Sequence, residues 1–138
     1  MEKEKFEKAR NTRLTDDEFL TLLILVPVFA IAHSDGEYDS QERSTMNVII
    51  RNLVSSIYSE LNEEESLEMT TAFEEDLEYV LIHPNTEKFL LECLRAKTKM
   101  IPGLSQQVQF LMKEVAESSN GISLKEQTRI NEILHFIQ

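Results

Sequence analysis

Apolar residues recur at three- and four-residue spacing along most of the chain, which is the period of a helix that buries one face. Met46, Ile49, Ile50, Leu53, Val54 and Ile57 form one such stripe, and Phe73, Leu77, Val80 and Leu81 form a second. A third holds Phe89, Leu90, Cys93, Leu94, Ala96, Met100 and Ile101; a fourth holds Val108, Leu111, Met112, Val115 and Ala116; and a fifth holds Ile130, Ile133, Leu134 and Ile137. Residues 20–32 differ, because they are apolar on every face. A helix of that kind runs through the middle of a domain rather than over its surface. Pro27 interrupts it, removing one amide donor and predicting a kink. No segment alternates apolar and polar residues in the manner of a half-buried strand, so the pattern predicts an all-α protein.

Start and stop signals divide these stripes into separate helices. Thr15-Asp16-Asp17-Glu18 has the form of a capping box, with further acids in the first turn where the helix dipole favours them. Asp39-Ser40-Gln41-Glu42 and Ser123-Leu124-Lys125-Glu126 repeat that form, and Asn62 precedes Glu63, Glu64 and Glu65. Asn85 and Ser105 are suited to cap two more helices. His83-Pro84, Pro102-Gly103 and Asn120-Gly121 supply the breaks. The expected organisation is a charged N-terminal extension over residues 1–14 and one compact domain of about six to seven helices over residues 15–138.

Composition narrows the function. With 138 residues, 41% of them apolar, the chain can fill one core, and three Gly with three Pro leave little material for a turn-rich β fold. Fourteen Lys and Arg against twenty-five Asp and Glu give a net charge of −11, the wrong sign for gripping a phosphate backbone, so nucleic acid is not an expected partner. The apolar run at 20–32 falls short of the ~20 residues that span a bilayer, and no cleavage pattern of small residues follows it. Stable membrane insertion is therefore not expected. The single cysteine, Cys93, excludes an internal disulfide and favours a cytoplasmic setting.

Two segments share a plan. In the first, a helix ending at Ala32 is followed by His33-Ser34-Asp35-Gly36-Glu37-Tyr38 and then by the Asp39 cap and Glu42; in the second, Ser118-Ser119-Asn120-Gly121-Ile122 precedes the Ser123 cap and Glu126. Each is an αα-hairpin corner, with a glycine suited to close one helix in the left-handed conformation and a short polar residue opening the next. The first segment resembles the Ala-x-x-Asp-Gly-Glu-hydrophobic-Asp-x-x-Glu signature of the tellurite-resistance TerB-like family, and the second resembles that family's weaker second copy. This resemblance runs over roughly residues 15–138. It implies an all-helical domain without an enzymatic reaction, acidic loop residues that bind a divalent metal, and a place in bacterial metal or stress response. The chain departs from the family where the second copy has Asn120 and Ser123 instead of acids, so the two corners are expected to bind a cation unequally.

Taken on their own chemistry, Asp35, Asp39 and Glu42, with Glu37 nearby, place oxygen ligands of the kind that Ca²⁺ and Mg²⁺ prefer on a tight turn and the first turn of a helix. An EF-hand is excluded, since the sixth position counted from Asp35 is Ser40 rather than Gly and the twelfth is Met46 rather than Glu. The same residues also form a complete cap that needs no ion. Catalytic material is sparse. His33 is a general-base or ligand candidate with no second His or Cys close by, and it equally suits a helix C-terminus. His83 and His135 read as structural or solvated, and Cys93 falls on an apolar stripe as an inert thiol. No phosphate loop, nucleophile elbow or zinc-protease motif is present. Between Arg51 and Lys88 there is no Lys or Arg, while Glu60, Glu63, Glu64, Glu65, Glu68, Glu74, Glu75, Asp76, Glu78 and Glu87 all fall there. That acidic third is either a solvated surface or a docking face for a protein partner.

Overall fold

A computed structural model of the chain describes residues 2–34, 38–118 and 121–138. Of these, 82% are helical and none is in a strand, as the spacing of apolar residues requires. Among the described residues seven helices follow one another: α1 (Glu2–Arg10), α2 (Asp16–Ala32), α3 (Ser40–Ile57), α4 (Glu63–Leu81), α5 (Pro84–Met100), α6 (Leu104–Glu117) and α7 (Leu124–Ile137). The all-round apolar helix α2 lies at the centre, touching α3, α4, α5, α6 and α7. Leu22, Leu23, Leu25, Val28, Ile31 and Ala32 have no solvent exposure at all. Pro27 is buried within this helix.

Four of the helix starts form as the sequence dictates. Thr15, Asp39, Asn62 and Ser123 each accept the amide of the Glu three residues on, and that Glu accepts the amide of the cap in return. Two starts differ. α5 begins one residue before Asn85, at Pro84, because proline has its φ preset for a first helical turn and its missing donor would be unpaired there anyway. The carbonyl of His83 opens the helix instead, accepting from Thr86 and Glu87 at 2.9 and 3.1 Å. α6 begins at Leu104, preceded by Gly103 at φ 83°, so the Ser105 hydroxyl is inside the helix and donates to Gln106 rather than capping. The buried stripes hold with three exceptions: Leu81, Ala96 and Met100 are exposed. Leu81 and Met100 are the last residues of α4 and α5.

The first fourteen residues carry structure of their own. Phe6 of α1 is 1% exposed and belongs to the same core as α2. Arg10 places its Nε 2.8 Å from Oδ1 of Asp76 on α4 and its guanidinium 5.3 Å from the centre of the Tyr79 ring. The link to α2 turns at Asn11, with φ 54°, and Glu7 accepts the amide of Leu14 at 2.6 Å. A second cross-link, Arg129 to Glu87 at 2.8 Å, ties α7 to α5.

Candidate functional site: the two corners and the acidic helix

The first corner joins α2 to α3. Asp39 has an extended backbone, φ −77° and ψ 175°, which aims its side chain back over the first turn of α3. Its Oδ1 accepts the Glu42 amide at 2.8 Å, and Glu42 Oε1 accepts the Asp39 amide at 3.3 Å. The two carboxylates are thereby held on one corner of the molecule. Asp35, Gly36 and Glu37 lie outside the described residues, so of the four candidate ligands Asp39 and Glu42 are the ones with a described position. Among the described residues no group of three or more His, Cys, Asp or Glu side chains is arranged around a common centre.

The second corner joins α6 to α7 by the same plan. Ser123 accepts from the Glu126 amide at 3.1 Å and Glu126 accepts from the Ser123 amide at 2.9 Å. Gly121 has φ 80°, the left-handed conformation expected of a residue that closes one helix before the next begins. No atom within 4 Å would meet an added Cβ there, so it is the backbone angle and not space that calls for glycine. Asn120 lies outside the described residues.

One property separates these two caps from the other two. Glu42 is 2% exposed and Glu126 is 3% exposed, whereas Glu18 is half-buried and Glu65 is exposed. A cap works at the surface, and burying a carboxylate costs free energy that capping alone does not require. The repeated corners therefore enclose their glutamates in a way that ordinary helix starts do not. Nothing in the sequence signalled this, since burial depends on what packs over the turn.

His33 ends α2. Its Nδ1 donates to the Phe29 carbonyl at 3.0 Å, and its ring stacks on Tyr38 with centres 4.2 Å apart and contacts Phe29 at 4.4 Å. The guanidinium of Arg43 sits 4.7 Å from the centre of the same Tyr38 ring. Burial pushes the Tyr38 hydroxyl up to about 12; Arg43 pulls it down, and Glu74, Glu42 and Glu78 add to the rise. His83 repeats the device at the end of α4, donating to the Tyr79 carbonyl at 2.7 Å and stacking on Tyr79 at 3.9 Å. Both histidines thus serve as helix ends held by an aromatic residue four positions earlier. The pairs Phe29/His33 and Tyr79/His83 carry that signal in the sequence, although only the placement of Tyr38 and Arg43 completes it. Burial pushes the Cys93 thiol up to about 12, with Glu2 adding to the effect, so it stays protonated and unreactive near neutral pH. His135 is exposed on α7.

The acidic third divides on folding. Glu63, Glu64, Glu65, Glu68, Glu75 and Glu78 are exposed along α4. Asp76 is not part of that face: it is buried against Arg10, and desolvation raises its pKa above the usual carboxylate value despite the guanidinium, which lowers it. Glu74 is partly buried and accepts from Asn47 on α3 at 3.2 Å. Exposed apolar side chains interrupt the remaining acids, Leu67 at 49% and, just past the helix end, Ile82 at 72%. Among the described residues no helix is long and apolar enough to cross a membrane. No family model, curated protein or solved structure matches the chain.

Proposed function

We propose that the protein is a non-enzymatic binding domain of the TerB-like kind that takes a divalent cation, Ca²⁺ or Mg²⁺, at its first corner and acts in bacterial metal or stress response. The observation that carries this reading is the pairing of two carboxylates, Asp39 and the buried Glu42, at the first corner, where the second corner sets its equally buried Glu126 beside the neutral Ser123. Asp35 and Glu37 complete the ligand set by their places in the sequence, and the hard oxygen donors suit those ions. The second corner, with neutral Asn120 and Ser123, contributes a cap and little affinity.

Asn caps a helix about as well as Asp, so replacing both Asp35 and Asp39 by Asn separates the two roles. In the wild-type protein a hundredfold excess of Ca²⁺ or Mg²⁺ over its dissociation constant should add about 2.7 kcal/mol to stability. The double variant is expected to melt close to the wild type without the ion and to show no rise with it, while Glu126→Gln keeps the rise. Monovalent salt at matched ionic strength supplies the control for general screening of the acidic helix. An equal divalent response in wild type and double variant would refute the site.

A second reading, a helical adaptor that docks a protein partner without a specific ion, is favoured by the exposed face of α4. There six glutamates and Leu67 face solvent with no lysine or arginine among them. A persistent complex with a basic protein in the presence of chelator is its test.

A further inference from the structure

A groove of about 390 Å³ runs between α4 and the link that joins α1 to α2. Leu14, Leu61, Met69, Ala72 and Phe73 give it an apolar floor. Phe73 is buried, Leu14, Leu61 and Met69 are half-buried, and Ala72 is exposed, so the floor is partly open to solvent. Its walls are fixed. The link is pinned by Glu7, which accepts the Leu14 amide, and by the Thr12 amide bonded to the Glu7 carbonyl at 3.0 Å. The α4 wall is anchored by the Asn62 cap at one end and by the Arg10 to Asp76 bridge near the other.

The rim of the groove is strongly one-sided in charge. Glu18, Glu65 and Glu68 carry its negative charge, with Arg13 as the cation among the lining residues, while Asp76 at one end is buried and bridged to Arg10. Glu18 is held in place by the Tyr58 hydroxyl at 2.9 Å and Glu65 by the Asn62 amide at 3.1 Å, so both carboxylates present oriented oxygens, and neither has an ion pair among the described residues. Glu68 has no ion pair among the described residues. An apolar trough with a carboxylate rim matches a helix that carries apolar residues on one face and lysine or arginine on its flanks, the arrangement of helix-in-groove recognition. An anionic lipid surface or a nucleic acid would meet charge of its own sign here.

We propose that this groove receives a basic amphipathic helix of a partner protein, its apolar face on Leu61, Met69 and Ala72 and its basic flanks on Glu65 and Glu68. The inference rests on the docking reading of α4 and is independent of any ion at the first corner.

The test uses the full chain and a fluorescently labelled synthetic helix of about 15 residues made of leucine and lysine with one apolar face, together with a scrambled peptide of the same composition that has none. Fluorescence anisotropy should show saturable binding of the first peptide and at least about tenfold weaker binding of the second. Ala72→Arg fills the floor from an exposed helical position that tolerates a long side chain, and Glu68→Lys reverses the rim. Each is expected to weaken binding by about tenfold or more, while Glu92→Lys on α5, with the same change of net charge as Glu68→Lys, leaves it unchanged. Circular dichroism melting confirms that the three variants are folded. Absence of saturable binding, equal binding of the scrambled peptide, or equal weakening by Glu92→Lys would overturn the proposal. Binding that survives Ala72→Arg but is lost on reversing Glu75 and Glu78 would keep α4 as a docking face and overturn the groove. A dimer of this chain that the peptide dissociates would also overturn it, since the occupant would then be a second copy.

Discussion

The bridge between Arg10 and Asp76 makes a sharp prediction, because its two halves are unequal. The Nε to Oδ1 distance is 2.8 Å, with the Asp76 side chain 7% exposed and that of Arg10 26% exposed. At an effective dielectric of 20 the attraction alone is about 6 kcal/mol before desolvation is subtracted. Desolvation is nevertheless the largest influence on Asp76, and it raises the pKa of the carboxyl although Arg10 lowers it. The ionised carboxylate is therefore less comfortable in the folded chain than in water, even with its partner in place. A group whose folded pKa is raised contributes stability that is present below its unfolded pKa of about 4 and lost as pH rises through the folded value. Arg10→Met removes the opposing cation, raises the pKa further and leaves a buried charge unpaired. Breaking a fully buried pair costs about 3 to 5 kcal/mol, and the partial exposure of Arg10 reduces the expected loss to about 2 kcal/mol at pH 7. At low pH, where Asp76 is protonated, most of that loss should vanish. Asp76→Asn, made in the Arg10→Met background, should restore most of the stability at pH 7. Urea titrations of the wild type, the two single variants and the double variant at the two pH values measure the cycle. An Arg10→Met loss that does not change with pH, or a double variant as unstable as Arg10→Met, would refute the reasoning.

Three further outcomes follow from the packing. Phe29→Ala should cost about 3 to 5 kcal/mol, because this side chain is 5% exposed and fills the space between α2 and Tyr38; thermal melting reads it directly. Gly121→Ala should destabilise by about 1 kcal/mol through its left-handed backbone angle, with no steric clash, and its crystal structure should keep the corner intact. Cys93 should react with a maleimide at pH 8 only after denaturant is added, since its thiol is buried and its pKa is pushed up to about 12.

Helix starts were legible wherever the deciding interaction is local. Thr15, Asp39, Asn62 and Ser123 each find their partner three residues away, so their chemistry is written in a short window. Asn85 and Ser105 have the same preference as caps, yet at these positions the backbone angles set by Pro84 and Gly103 moved the helix start ahead of them. Helix α1 could not be read from its pattern, because one large apolar residue, Phe6, stands among charges and its burial is created by helices far along the chain. The same limit applies to the candidate site. The caps of the repeated corners were visible as spacing, but the enclosure of Glu42 and Glu126 arises from tertiary packing over the turns. Asp76 illustrates the converse, since an acid in an acidic run reads as solvated until a cation from another helix draws it inward.

The all-round burial of α2 also sets the order in which the molecule can open. A helix with a polar face can stay formed when a neighbour leaves, but α2 has almost no face that water would accept, so its amides should exchange with solvent only when the whole domain unfolds. Pro27 sharpens the point, as it cannot donate to the carbonyl four residues before it and leaves the middle of the helix reliant on its surroundings. α1 is the natural opposite: nine residues with one buried side chain, Phe6, held otherwise by contacts at its surface and by the partly exposed Arg10 to Asp76 bridge, and therefore the first segment expected to detach. Hydrogen exchange should then divide the chain into a slow axle and an early-opening first helix. Should α1 detach in the cell, it uncovers the apolar core around Phe6 together with the unpaired Asp76, and that exposed patch becomes the handle by which quality-control proteases and chaperones would recognise the chain.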